Sequence, residues 1–247
     1  MTASANMYKE DKVGLGITKP PQGVYSASAN QVVELGYKIQ MGDRVYRYSY
    51  AGGTALTVGV LVKSAQLPAE VNKSVTAASA GVYEVTVTTA AAQLYLQGGY
   101  MVTNGSTPTH GAGQCYRIRS SKANATTATS TDLVLYDPLE TAITATTKVE
   151  LYGSPYYDLD IAATITDHCS GIPPIAVPAN YYFWLQTWGP CSALCGNSSI
   201  AVGDMLIPLV TTGAVDLATA FTSNIVGYAL ADGTDTEFNA IYLRINP

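Results

Sequence analysis

Charge is scarce in this sequence, since only 13% of its 247 residues are Asp, Glu, Lys or Arg, about half the share that is usual in soluble domains. The formal net charge is -5. The few Lys and Arg residues are scattered and form no basic stripe, which excludes a surface that binds nucleic acid through its phosphates. A weakly charged surface suits either a monomer or a chain that buries much of its outside against neighbours.

Targeting and membrane signals are also missing. The N-terminal stretch has no apolar core of the kind that a secretory signal needs, and no window reaches the roughly 18 apolar residues of a membrane span. We therefore expect a protein that is made in the cytoplasm, makes no contact with a membrane, and stays there unless a larger particle carries it out.

Cysteine is too rare, at four residues, to form the disulfide framework of a chain this long. Cys191 and Cys195, together with the adjacent His168 and Cys169, could supply four zinc ligands, although their spacing is not that of a standard zinc site. A disulfide between Cys191 and Cys195 is a second alternative. We expect buried free thiols, because Cys packs as a small hydrophobic residue, and we expect no metal and no cofactor.

A set of residues for acid-base or nucleophilic chemistry is hard to assemble, because the chain has only two histidines and none of the common catalytic motifs. Asp158 and Asp160 are two residues apart and would share one face of a strand. They could form half of a glycosidase pair or of a calcium site, but a solvated face is the commoner arrangement. We expect no enzymatic activity and keep a hydrolase using Asp158, Asp160 or Glu237 as an alternative.

Short β-rich runs separated by turn signals fill the rest of the chain. The run from Val82 to Thr89 alternates apolar and polar residues, and Asn104-Gly105 is a hairpin signal. No window of 11 or more residues has a convincing helical period. The pattern predicts an all-β protein with antiparallel sandwich or barrel domains and an extended N-terminal arm.

Three parts are predicted along the chain: the arm over residues 1–44, a β-rich domain over 45–160 and a C-terminal barrel or sandwich over 161–247. A short echo links Val58–Val62 with Val202–Leu206, since both have a Val-Gly pair and an apolar end. If these two segments paired in one barrel, residues near 75–160 would be an insertion.

The arm and one aromatic run are the predicted partner-contact regions. Pro20-Pro21 excludes helix in the arm, and we expect the arm to lie across a neighbouring subunit, with folding back on its own domain as the alternative. The predicted contact residues are Tyr8, Val13, Leu15, Ile17, Pro20, Pro21, Tyr25, Trp184 and Trp188.

The aromatic run covers Tyr181–Trp188. Strand alternation places Tyr181, Phe183 and Leu185 on one side and Tyr182 and Trp184 on the other. A central strand covered on both faces is the expected arrangement. The alternative is a platform for stacking sugars or for contacting a subunit, because Trp and Tyr are enriched in both settings.

Several segments together resemble those of capsid decoration (cement) proteins of tailed phages, cyanophages included. They are AGGTALTVGVLVKSA (51–65), QGGYMVTNG (97–105), YRIRS (116–120), LVLYDPLETAITATTKVEL (133–151), YYFWLQTWGPCSAL (181–194) and VGYALADGTDTEFNAIYLRI (226–245). The resemblance covers roughly residues 45–246 and is most specific in WLQTWGP and LYDPL.

The resemblance implies a β-rich virion protein on the outer surface of an icosahedral capsid. Such proteins sit at local three-fold or two-fold axes and clamp neighbouring capsomers, and no catalytic residue carries over from them. The implied partners are the major capsid protein and further copies of the chain, with a trimer favoured over a dimer. A phage tail-fibre or receptor-binding protein and a carbohydrate-binding module are the alternatives.

Overall fold

The computed structural model describes residues 20–65, 70–89, 93–105, 111–123, 129–197, 199–209, 212–219 and 224–247. These residues form 16 strands and one short helix, which confirms the prediction of an all-β fold. The elements are β1 Lys38–Met41, β2 Arg44–Tyr50, β3 Val62–Ser64, β4 Glu70–Ser74, β5 Glu84–Val87, α1 Gln93–Leu96, β6 Tyr100–Asn104, β7 Cys115–Ala123, β8 Thr131–Leu135, β9 Lys148–Tyr152, β10 Leu159–Ile161, β11 Cys169–Gly171, β12 Tyr182–Leu194, β13 Met205–Pro208, β14 Val215–Leu217, β15 Gly227–Ala229 and β16 Phe238–Arg244.

The largest sheet has seven antiparallel strands in the order β1-β2-β12-β16-β15-β13-β14. A three-stranded sheet, β10-β3-β11, joins it through a bridge between Ile172 and Gln186 of β12. Two buried clusters lie against these sheets, one around Leu61, Ile241 and Leu243 and the other around Phe183 and Leu185. Burial of these side chains is the main force that holds the sheets together.

Residues 70–152 form a separate six-stranded sheet in the order β4-β9-β6-β7-β8-β5. An antiparallel bridge between Val75 and Val87 joins its two ends and closes it into a barrel. Several of its strands alternate: in β9, Val149 and Leu151 are buried inside the barrel while Tyr152 is exposed. Period-2 alternation of this kind is what lets a strand cover a core on one face and meet solvent on the other.

The strands that precede and follow this barrel, β3 and β10, pair with each other, so residues 70–152 are inserted between two neighbouring strands. The two segments of the Val-Gly echo do not pair: β3 lies in the three-stranded sheet, and β13 pairs with β14 and β15. The strands β2 and β12, which the sequence-based division assigns to different domains, are neighbours in one sheet. Long-range pairing of this kind leaves no signal in local composition.

The central strand β12 confirms the prediction for the aromatic run. Phe183 and Leu185 are buried in one cluster, and Trp184 is buried in another with Tyr46 and Tyr48. Both faces of this half of the strand are therefore covered, as the alternation indicated.

The described end of the N-terminal arm folds back on its own sheet. Val24 packs with Tyr48 and Trp184, and Ser28 and Tyr182 exchange two backbone hydrogen bonds of 2.9 and 2.7 Å. The Trp184 Nε1–H also donates to the carbonyl of Gln22 at 2.8 Å. Over these residues the alternative interpretation of the arm holds, because the aromatic face of β2 and β12 needs an apolar cover. The earlier part of the arm lies outside the described residues.

Candidate interaction surfaces

An exposed row of large side chains crosses four adjacent strands of the seven-stranded sheet. Trp188 of β12, Tyr242 of β16, Tyr228 of β15 and Met205 of β13 form this row, which we call the aromatic stripe. The register pairs Tyr228 with Tyr242 and with Met205. Met205 is 56% exposed, and the three rings are partly exposed.

The stripe lies on the outer face because its chain neighbours point inward. Ile241 and Leu243 flank Tyr242, and both are buried in the core cluster. Successive side chains of a strand point to opposite faces, so Tyr242 must point away from that core. Leu206, next to Met205, is buried in the same cluster, and this places the whole stripe on the solvent side.

The rings of the stripe pack against each other. Tyr228 and Tyr242 are stacked with centroids 5.2 Å apart and planes 7° from parallel, and Trp188 meets Tyr242 edge-on at 6.0 Å. The Arg244 guanidinium lies 6.0 Å from the centre of the Trp188 ring, within the range of a cation–π contact. The stripe is thus a pre-formed surface whose side chains are already held in place.

A shallow depression of about 330 Å³ lies beside the stripe. Its lining combines apolar side chains with one charged side chain. The residues are Gly203, Met205, Ile225, Gly227, Tyr228 and Arg244. Such a depression would accept an apolar side chain next to a negatively charged one.

A second exposed aromatic surface lies on the barrel. Tyr100 and Tyr152 are opposite each other on β6 and β9, and they are 43% and 40% exposed. Their neighbours Met101 and Leu151 are buried inside the barrel. We call Tyr100 and Tyr152 the barrel tyrosine pair.

The barrel is held to the rest of the chain through the turn at residues 34–36. The Arg117 guanidinium donates a 3.4 Å hydrogen bond to the carbonyl of Leu35 and lies 4.9 Å over the ring of Tyr136. The Tyr136 hydroxyl in turn bonds to Glu34. These contacts hold the barrel against the turn at residues 34–36. The tyrosine pair lies on β6 and β9 of the same barrel.

The predicted contact residues fall into three groups. Tyr25 is 62% exposed and accepts a 3.3 Å hydrogen bond from Arg44, while Pro20 is partly buried, Pro21 is exposed and Trp188 belongs to the stripe. Trp184 is fully buried and has no surface to offer a partner. The remaining four, which lie outside the described residues, are Tyr8, Val13, Leu15 and Ile17.

The sequence reasoning missed Met205, Tyr228 and Tyr242. The signal was present, since Tyr242 lies between Ile241 and Leu243 in a strand-like run, and an aromatic residue at the alternate position of such a run faces outward. What the sequence did not reveal is that four distant segments become neighbours.

The four cysteines are free thiols, and Cys191 and Cys195 are not bridged in the structure. Cys195 is buried, but Cys115 is exposed, in contrast to the expectation that the thiols are buried. Burial raises the pKa of Cys191 to about 12, and burial together with Asp167 raises that of Cys169 to about 12. These two thiols are therefore poor nucleophiles, since the thiolate is the reactive form.

The two aspartates that were predicted to share a strand face, Asp158 and Asp160, do not lie on one strand. Asp158 has a positive φ of 55° and precedes β10, whereas Asp160 lies within β10. The prediction that the two residues share a strand face was therefore wrong. Across the part of the chain that the structure describes, no group of three or more His, Cys, Asp or Glu side chains is placed to hold a metal ion.

Comparison of the chain with protein-family models, with curated proteins and with solved structures finds no match. Within the described residues, no helix is long and apolar enough to span a membrane.

Proposed function

We propose that this chain is a structural virion protein that binds the outer surface of an icosahedral phage capsid and stabilises contacts between capsomers. Its proposed partners are the major capsid protein and further copies of itself, most simply as a trimer. The observation that carries this proposal is the presence of two exposed aromatic surfaces, the stripe on the sheet and the tyrosine pair on the barrel. A protein that bridges subunits needs more than one such surface, whereas a simple binding module needs only one.

Ring geometry favours protein contact over sugar stacking. A pyranose packs on the open face of an aromatic ring, but the facing sides of Tyr228 and Tyr242 are turned toward each other, and the Arg244 guanidinium lies near Trp188 at cation–π distance. Closely packed aromatic side chains with an arginine at their edge are typical of protein interfaces. The tail-fibre and carbohydrate-binding alternatives are therefore less well supported.

Weak charge fits the same proposal. The chain carries 13 Lys and Arg residues and 18 Asp and Glu residues, and only two ion pairs lie among the described residues. Desolvating few charges lowers the cost of covering a large surface. On a closed shell, many modest contacts of this kind add up through multivalency.

Co-sedimentation with capsids stripped of this protein tests the proposal. We expect saturable, stoichiometric binding by the wild-type chain and at least tenfold weaker binding by a Tyr100→Ser, Tyr152→Ser variant, because loss of interface aromatic residues costs 2 kcal/mol or more at hot spots (~30-fold). Tyr83→Ser is the matched control, since Tyr83 is 50% exposed and lies next to β5, which pairs with neither β6 nor β9.

Absence of binding by the wild-type chain would refute the capsid role, and a glycan array would then test the carbohydrate-binding alternative. Equal binding by the double variant and the wild-type chain would exclude the barrel tyrosine pair as the contact.

A further inference from the structure

Within the described residues, the positive charge of Arg244 beside the aromatic stripe has no acidic ion-pair partner. Arg244 is exposed, and the ion pairs found among the described residues are Lys63–Asp167 and Lys73–Glu70. The Arg244 guanidinium lies 6.0 Å from the centre of the Trp188 ring. A segment that covers the stripe should therefore bring apolar side chains for the rings and a carboxylate for Arg244.

The chain itself contains such a segment. Val13, Leu15 and Ile17 alternate with Gly14 and Gly16, and the acidic pair Glu10-Asp11, flanked by Lys9 and Lys12, precedes them. In extended conformation, the three apolar side chains would share one face, and the glycines would leave the other face bare. This segment lies outside the described residues, and it has too few large apolar residues to form a core alone.

The dimensions of the segment and the stripe match. The stripe crosses three strand spacings from Met205 to Trp188, or about 14 Å at the usual distance between strands. Val13 and Ile17 are four residues apart, which is about 13 Å along an extended strand. Three apolar side chains can therefore meet the successive side chains of the stripe in one crossing.

The folded-back part of the arm lies on the other face of the sheet. It covers Tyr46, Tyr48 and Trp184, whereas Trp188 of the stripe pairs with Val45. Because Val45 and Tyr46 are consecutive in β2, they point to opposite faces. The 19 residues before Pro20 can extend roughly 60 Å, but to reach their own stripe they must first pass around the edge of the sheet. The stripe of an adjacent copy is open to direct approach.

We propose that residues 8–17 of one copy bind the aromatic stripe of a second copy, with Val13, Leu15 and Ile17 on the rings and Glu10 or Asp11 paired with Arg244. The contact joins two different surfaces, so it is head-to-tail and generates a closed ring when the rotation between copies allows it. This inference goes beyond capsid binding, and its test uses no capsid.

Charge reversal in the full-length chain tests the contact. We expect the wild-type chain to be oligomeric by light scattering. Both Arg244→Glu and the double variant Glu10→Lys, Asp11→Lys should assemble at least tenfold more weakly, because like charges across an interface repel and an ion pair is lost. Combining all three substitutions in one chain should restore assembly, since the pair then exists with reversed signs. Arg119→Glu, at another exposed arginine, is the control and should leave the mass of the assembly, measured by light scattering, unchanged.

A wild-type chain that is monomeric throughout the concentration range would overturn the proposal. Unchanged assembly of the single-sided variants, or failure of the combined variant to regain it, would also overturn it. Circular dichroism checks that each variant remains folded, and substitutions of exposed side chains are not expected to change the fold. Capsid co-sedimentation is a separate measurement, so this proposal can fail while the capsid role stands.

Discussion

Replacing Asp167 by Asn should destabilise the protein by about 2 kcal/mol at neutral pH and by much less at pH 2. Asp167 lies in the loop between β10 and β11. Its carboxylate accepts a 2.9 Å hydrogen bond from Lys63 of β3 and backbone hydrogen bonds of 2.7 and 2.9 Å from Ala163 and Thr164. The loop is thereby held to the three-stranded sheet.

The magnitude follows from the pKa of Asp167. Burial alone would raise this pKa, but the hydrogen bonds from Lys63, Ala163 and Thr164 outweigh burial and lower it from 3.8 to about 2. A shift of nearly two pH units corresponds to about 2 kcal/mol. Because the folded-state pKa is the lower one, this stabilisation is present above the unfolded-state pKa near 4 and is lost as the pH falls toward 2.

Urea unfolding followed by tryptophan fluorescence at pH 7, 5, 3 and 2 measures the effect, since both tryptophans lie in β12. Asp235→Asn is the control, because Asp235 is exposed and surface substitutions usually change stability by less than about 0.5 kcal/mol. A loss of unfolding free energy in Asp167→Asn that is as large at pH 2 as at pH 7 would refute the reasoning, since it would show that the carboxylate charge is not the cause of the stabilisation.

Two further predictions concern thiols and a glycine. At pH 8, iodoacetamide should label Cys115 in the folded protein, while Cys169 and Cys191, with a pKa of about 12, should react on the order of a thousandfold more slowly than an ordinary exposed thiol. Peptide mass spectrometry measures this, and similar rates at all three sites would contradict it. Gly189→Ala should lower the free energy of unfolding by about 3 kcal/mol or more, because φ is 88° and the added Cβ would collide with a backbone carbonyl of the β1–β2 turn. At Gly203, φ is 91° but an added Cβ would meet open space, so Gly203→Ala should lower the free energy of unfolding by only about 1–2 kcal/mol. Equal urea midpoints for the two variants would argue against the steric explanation.

Local patterns predicted the features that depend on nearest neighbours. The alternation of Val85 and Val87 indicated a strand, and β5 covers Glu84–Val87. The alternation of Phe183, Trp184 and Leu185 indicated a strand buried on both faces, which the structure confirms. Such predictions succeed because the period of 2 is a property of the extended backbone itself.

The prediction for Asp158 and Asp160 was wrong for a related reason. It assumed that both residues lie on one strand, but the backbone turns at Asp158 with a positive φ. A single left-handed residue cancels the alternation on which the prediction rested. Asp is among the residues that most readily adopt this conformation, and Gly153-Ser154-Pro155 just before it is a turn signal, but neither shows which residue turns the backbone.

The sequence by itself determined the all-β class, the strand character of the main apolar runs and the low charge that favours a covered surface. These follow from composition and from the two-residue period of an extended chain. The tertiary structure decided which strands are neighbours. It places β2 beside β12 and β3 beside β10, across the insertion of residues 70–152. It also brings Met205, Tyr228, Tyr242 and Trp188 into one stripe. The physical reason is that strand pairing depends on hydrogen bonds and side-chain burial between segments far apart in the chain, and these interactions exist only once the core has closed.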